Sequence, residues 1–314
     1  MNGPGRSCPL HYRYGAAALA RAPERTADIL YVIGGLYGNL PALDAVEALA
    51  AAETGPVTLC FNGDFNWFNV DDAGFRAINE RVLRHDTILG NVEAELTDGS
   101  SGAGCGCAYP QSVDQAVVDR SNRIHQRLAR CAAGHPDLLE RLAALPMVAR
   151  YRVGGVRVGV VHGDAESLAG WRFDAAALDA PGGLDWLAMA CEIADVDLFA
   201  SSHTCLPALR KVRCATRRCL VVNNGAAGMP NFRRMRHGVI TRIAPSPSPH
   251  RPLYGTLHAG IHVDALQVDY AHHAWEAAFT AHWPPGSDAH LSYHDRIVGG
   301  PEWGIEQAAS AGRT

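Results

Sequence analysis

Six short turns carry residue types capable of coordination and acid–base chemistry: Gly35-Leu36-Tyr37-Gly38-Asn39, Gly63-Asp64, Gly90-Asn91-Val92-Glu93, His162-Gly163-Asp164, Ser202-His203-Thr204-Cys205 and Asn223-Asn224-Gly225-Ala226. Histidine, aspartate, asparagine and cysteine are side chains from which sites for divalent transition metals are built. The total of 15 histidines invites a search for such a site. Nine cysteines add a second source of ligands. Cys60 and Cys191 lie in apolar surroundings and read as small core residues, whereas Cys105 and Cys107, in the run Gly-Cys-Gly-Cys, do not.

These turns need elements to position them, and the hydrophobic pattern supplies them. Each follows, or nearly follows, a short apolar run: 28–33, 57–61, 87–89, 156–161, 197–200 and 220–222. Such runs, bounded by glycine or polar turn residues, read as buried strands. Helical spacing appears over 41–52, 75–84, 114–132 and 136–144, with a helix-rich stretch over 174–194. The segments 148–152 and 156–161 flank Gly154-Gly155 and predict a hairpin. Further strands are expected at 239–243 and 261–268, and 97–112 reads as a Gly/Ser/Cys-rich loop. Open α/β sheets place ligands outside the carboxyl ends of their strands, so the six turns are expected to converge on one pocket.

Composition narrows the class. The chain has 314 residues, 47% hydrophobic and 19% charged, enough to bury a full core without disulfides. No window reaches about 18 uninterrupted apolar residues, so no membrane span is expected. A net charge of −4 gives no electrostatic case for nucleic acid as the main partner. An odd cysteine count, with no export signal visible, points to a reducing cytoplasmic setting. Residues 1–26 read as a poorly ordered, flexible arm, 27–270 as one α/β domain, and 271–314 as a C-terminal extension packed on that domain.

The order of the turns resembles the calcineurin-like metallophosphoesterase superfamily. That family carries Asp-x-His-Gly-Asn, Gly-Asp, Gly-Asn-His-Glu, a lone His and Gly-His-x-His, each at a strand end. The resemblance covers roughly residues 28–270 and implies an α/β fold, a four-layer α/β/β/α sandwich of two mixed sheets. In the family two metal ions sit side by side, bridged by an aspartate. Carried over residue by residue, one ligand set is complete: Asp64, Asn91, His162 and His203. The other keeps only Asp64, since Gly35 supplies no ligand, Tyr37 is a poor one for divalent ions, and Cys205 stands in place of a histidine. Cys205 is a further candidate ligand, and the loop bearing Cys105 and Cys107 can also reach the site. The family's general acid, the histidine after Asn91, is Val92 here.

What the resemblance implies is therefore a metal-dependent phosphoesterase-like hydrolase with a reduced, single-metal site, acting on a phosphoester through a metal-bound water. Two imidazoles, a carboxylate and an amide oxygen suit one divalent transition metal such as Mn, Fe or Zn. The expected substrate is a small phosphorylated molecule, and Arg172, Arg210 and Lys211 stand near the site turns as candidate phosphate contacts or solvated faces. The alternative is a catalytically disabled relative serving as a binding or scaffold protein. Among the C-terminal histidines, His258 and His262 are four apart and share a face if one strand carries both. The C-terminal histidines, His272 and His273 included, read as surface residues with approach to the pocket as the other reading, and Trp275, Trp283 and Trp303 as anchors of the tail, an apolar wall or a subunit contact.

Overall fold

Along the first apolar run the side chains alternate between two cores. Ile29, Tyr31 and Ile33 enter one cluster, Leu30 and Val32 another. This is the two-residue period of a strand covered on both faces. The computed structural model of the protein describes residues 3–98 and 102–309. Parts of three expected segments lie outside the described residues: the first two residues of the arm, 99–101 of the Gly/Ser/Cys loop and 310–314 of the extension.

Twelve strands are present among the described residues: β1 (Glu24–Thr26), β2 (Ile29–Ile33), β3 (Val57–Phe61), β4 (Asp86–Thr87), β5 (Val148–Val153), β6 (Val156–Val161), β7 (Leu198–Ser201), β8 (Ala208–Arg213), β9 (Arg218–Asn223), β10 (Gly238–Ala244), β11 (Tyr254–His258) and β12 (Ile261–Val268). They form two six-stranded sheets, ordered β1-β5-β6-β7-β9-β8 and β11-β12-β10-β2-β3-β4. Both are mixed: β6, β7 and β9 pair in parallel in one and β2, β3 and β4 in the other, with antiparallel strands flanking them. The expected hairpin is β5–β6, with Val153 opposite Val156.

Leu30, Val32, Cys60, Val158, Val160, Leu198, Ala200, Leu220 and Val222 form the core between the sheets. The opposite faces are covered by helices. Leu43, Val46, Phe75, Ile78, Ile124 and Leu128 pack from Leu40–Ala51, Asp72–Val82 and Gln115–Ala132 onto one sheet. Leu178, Leu187, Ala190 and Cys191 pack from Ala175–Asp179 and Gly183–Ala194 onto the other. The result is the expected α/β sandwich of two mixed sheets between helical layers.

Several segments differ from expectation. Where a poorly ordered arm was expected, residues 3–26 carry a helical turn, the helix Ala17–Arg21 and β1, which pairs in parallel with β5. Tyr12 and Leu19 there are fully buried. The signal was hidden because β1, Glu-Arg-Thr, is exposed at every residue and has no apolar face to read. The tail holds two long helices, His272–His282 and Asp288–Gly299, the second over a stretch with weak periodicity. His258 and His262 lie on different strands, because Ala259-Gly260 turns the chain between β11 and β12. Trp275 and Trp283 are buried in the core as anchors of the tail.

Leu30 is fully buried between the sheets, whereas Leu257 on β11 is 63% exposed. Leu30→Ala is expected to cost about 2–5 kcal/mol in urea unfolding, and Leu257→Ala to change stability by no more than about 0.5 kcal/mol. Equal costs would contradict this assignment of the core.

Candidate metal centre

The parallel strands β2, β3, β6, β7 and β9 end at one edge of the sandwich, and the turns after them interlock there. The amides of Ser202 and His203 both donate to the His162 carbonyl, and Asn62 Nδ2 donates to Val161 O across the two sheets. Ala227 N and Asn224 Nδ2 both donate to Gly34 O, so the turn after β9 buttresses the turn after β2. Asn39 is spent elsewhere: its Oδ1 caps the helix Leu40–Ala51 and its Nδ2 donates to Gly228 O.

Asp64, Asn91, His162 and His203 meet at the centre of this edge, all at most 6% exposed. His162 Nε2 lies 3.3 Å from Asp64 Oδ1, 3.1 Å from Asn91 Oδ1 and 3.2 Å from His203 Nδ1. The other nitrogen of each ring faces a carbonyl: His162 Nδ1 donates to Asn62 O at 2.8 Å, and His203 Nε2 to Cys107 O at 3.2 Å. A carbonyl accepts only from N–H, so in the neutral rings these bonds leave the lone pairs on His162 Nε2 and His203 Nδ1. Such a partner on the far nitrogen is the usual support of a metal-ligating imidazole.

Four potential donor atoms thus converge in a buried space where at most one proton, on His162 Nε2, is available to them. Burial pushes the Asp64 carboxyl up, but the His162 imidazole beside it prevails and holds it below the usual range. Burial likewise favours neutral His162, yet the Asp64 charge keeps its pKa above the ordinary histidine value. Burial and then the neighbouring His162 push His203 down to about 3. Two imidazole nitrogens, a carboxylate and an amide oxygen are a donor set that fits a borderline divalent cation.

The scaffold of Asp64 is a second carboxylate, that of Glu93. Its oxygens accept from the backbone N–H groups of Asp64 at 2.8 Å and of Phe65 and Asn66 at 3.1 Å. Burial and the nearby Asp64 charge push Glu93 up to about 7. Asp64 itself sits at φ 55°, a left-handed conformation that aspartate tolerates better than most residues. Gly63 and Gly90 pack backbone to backbone: a Cβ on Gly63 would stand 2.4 Å from Gly90 Cα. Glu93 was visible in the sequence as part of its motif, but its role depends on a loop 29 positions away.

Around the centre the other turn residues form a different arrangement. Tyr37 OH and Cys205 Sγ lie 3.0 Å apart and hydrogen-bond to one another. The Tyr37 ring fills the space beside Gly35, where an added Cβ would stand 2.9 Å from the ring. Asp64, His162 and His203 form a group whose ligand atoms lie within 4.8 Å of one another, and this group does not include the Cys205 sulfur. The Cys105–Cys107 loop does reach the site, and it does so through its carbonyls. Cys105 O accepts from Asn91 Nδ2 at 2.8 Å, which aims Asn91 Oδ1 at the centre, and Cys107 O accepts from His203.

The adjoining cavity, about 40 Å³, is walled by Tyr37, Trp67, Val92, Tyr109, Trp171 and Tyr293 together with Asp64, Cys107, His203 and Cys205. Among the described residues, no lysine or arginine lines it. Arg210 instead pairs with Asp179 and donates to Ala308 O, and Arg172 stacks over Trp186. Lys211 lines a separate depression with Asp197, Arg217 and His258. A charged side chain goes where its partner is, and those partners were not readable as neighbours.

Two mixed sheets between helical layers, with these turns at their carboxyl edge, make the calcineurin-like metallophosphoesterase fold. The chain aligns with a metallophosphoesterase from Sphaerobacter thermophilus at a TM-score of 0.55 and 17% identity, over 88% of this chain and 100% of that one. It aligns with a hypothetical protein of Pyrococcus horikoshii OT3 at a TM-score of 0.57 and 14% identity, over 88% of this chain and 99% of that one. No family model matches the sequence, and no curated protein matches it.

Replacing Glu93 by glutamine keeps its shape but turns an N–H₂ group toward backbone donors. Hydrogen bonds to charged groups are worth about 1.5–3 kcal/mol, so Glu93→Gln is expected to lower unfolding stability by about that much. It is also expected to weaken metal binding, because Asp64 loses its support. Unchanged stability and metal affinity, by urea unfolding and calorimetric titration, would remove Glu93 from this role.

Proposed function

We propose that the protein is a metal-dependent, phosphoesterase-like hydrolase with a single-metal site, acting on a small phosphorylated substrate. Residues 27–270 form its catalytic domain and 271–314 an extension to it. The observation that carries this reading is the convergence of Asp64, Asn91, His162 and His203 with both imidazole lone pairs turned inward. These four residues are the proposed ligands of one divalent ion, Mn, Fe or Zn. When bound, such an ion supplies a Lewis acid that polarises a phosphoryl oxygen and acidifies water. Asn62 O and Cys107 O fix the two rings for that task, and Glu93 holds Asp64.

The residues around the centre limit the substrate. Tyr37 and Cys205 occupy each other, and the ring of Tyr37 takes the space next to Gly35, which argues for one ion rather than two. Val92 cannot donate a proton to a leaving group, and a general acid typically contributes about 10²–10⁴-fold. The favoured substrate is therefore an activated phosphoester whose leaving group departs without protonation. The walls are largely aromatic, and the cavity of about 40 Å³ holds only a few waters. Side chains of the wall must shift to admit a whole substrate. The reading includes a reducing, cytoplasmic setting, against which the Cys214–Cys219 disulfide across the β8–β9 turn stands.

A second reading has its own observations. Val92 at the general-acid position, together with the Tyr37–Cys205 pair, suits a protein that keeps an ion and binds a partner without turnover. Hydrolysis of bis- and mono-p-nitrophenyl phosphate after loading with Mn, Fe or Zn separates the two. The enzyme reading expects turnover that falls at least about 100-fold in Asp64→Ala and His162→Ala, as for loss of a metal site's chemistry. Retention of one equivalent of metal with no turnover would favour the scaffold. Wild-type protein that retains no metal would sink the proposed centre itself.

A further inference from the structure

We infer that a second metal site, for a borderline divalent ion such as Zn²⁺, lies at the start of the helix His272–His282, built from His272, His273 and Glu276 and separate from the centre around Asp64. One ligand atom from each of the three falls within 4.8 Å of the others. Glu276 is the residue that both histidines reach on a helical surface, four positions from one and three from the other. His272 Nδ1 lies 3.7 Å and His273 Nδ1 3.9 Å from the same Glu276 Oε2.

The independent observation is the state of His272. Its ring is 9% exposed, and its Nε2 donates to Ile297 O at 2.7 Å. That bond leaves the lone pair on Nδ1. Nδ1 is itself buried, has no hydrogen-bond partner, and is turned toward a carboxylate that also only accepts. An orphaned buried acceptor of this kind is costly unless something fills it. The Ile297 carbonyl is also the outer support that ligating imidazoles commonly have. Glu276 has no other ion pair or hydrogen bond among the described residues.

Other clusters lack these features. In the group Asp72, Cys131 and His135, the ring of His135 is saturated, accepting from Arg76 at Nδ1 and donating to Asp72 at Nε2. Of Cys191, Cys214 and Cys219, two are joined as a disulfide.

The donor set is two nitrogens and one oxygen, which suits zinc and its neighbours and leaves a position for water. Zinc–nitrogen bonds of about 2.0–2.1 Å put tetrahedral ligand atoms roughly 3.3 Å apart. The observed separations need only small side-chain rotations to close. His273 is 88% exposed and gives the ion access from solvent. Through the His272–Ile297 bond the ion ties the first turn of this helix to the helix Asp288–Gly299. The second helix carries Tyr293, which walls the cavity beside Asp64, so the site acts as a clip on that wall.

The test uses the tag-free full chain and Zn²⁺ alone, followed by calorimetric titration and thermal unfolding. Wild type is expected to bind one equivalent more than His273→Ala or Glu276→Gln, or to bind it at least tenfold more tightly. Both substitutions lie at the surface and leave the core unchanged. The same equivalent should persist in His162→Ala, and in His290→Ala, which disrupts a stacked surface histidine pair on the neighbouring helix. Zn²⁺ should raise the unfolding temperature of His162→Ala, and this rise should vanish when Glu276→Gln is added. Zinc binding and stabilisation that are indifferent to His273→Ala and Glu276→Gln would overturn the proposal. So would a protein in which His162→Ala abolishes all zinc binding.

Discussion

A single buried carboxylate organises the carboxyl edge of this sandwich. Glu93 accepts from three successive backbone amides, those of Asp64, Phe65 and Asn66. The bonds hold the chain after β3 in a loop in which Asp64 takes a left-handed conformation. That conformation directs the Asp64 side chain toward His162, and Asp64 Oδ1 also accepts from Val92 N, so the two loops hold one another. Among the described residues no lysine or arginine pairs with Glu93; the oriented amides hold its charge, as they do for anions at helix starts. Asn62, just ahead of this loop, supplies the carbonyl that fixes the ring of His162.

Much of the scaffold was legible because it follows rules that operate over a few residues. Short apolar runs of three to six residues, each ended by glycine or a polar turn, announced β2, β3, β6, β7 and β9 and the edge at which they end. The four candidate ligands were legible because each stands at such an end. What stayed hidden depends on partners distant in sequence. The carbonyls of Cys105 and Cys107 aim Asn91 and His203, yet a carbonyl is common to every residue and carries no signal. Arg210 looked available for phosphate until the structure placed Asp179 beside it. β1 is recognisable only through its pairing with β5, more than 120 residues further on.

The C-terminal helices bear on the centre through packing. Phe68, in the loop after Asp64, contacts Tyr37, Phe279 and Tyr293 in one aromatic cluster. Trp283 donates to Phe68 O, which ties the same loop to the end of the helix His272–His282. Arg296 donates to Cys205 O from the next helix. The tail is therefore part of the wall of the cavity, and aromatic pairs of this kind favour specific, rigid orientations.

The contact between Tyr37 and Gly35 limits which side chains this edge can carry. Gly35 lies at φ 65°, and the ring of Tyr37 lies where any side chain on it would begin. A carboxylate introduced at 35 meets that ring at once, while shrinking Tyr37 first removes the partner of the Cys205 thiol and opens a void. Neither order of substitution passes through an undisturbed intermediate. The ring of Tyr37 and a side chain at 35 therefore exclude one another, and a carboxylate pair at this edge needs both positions changed together.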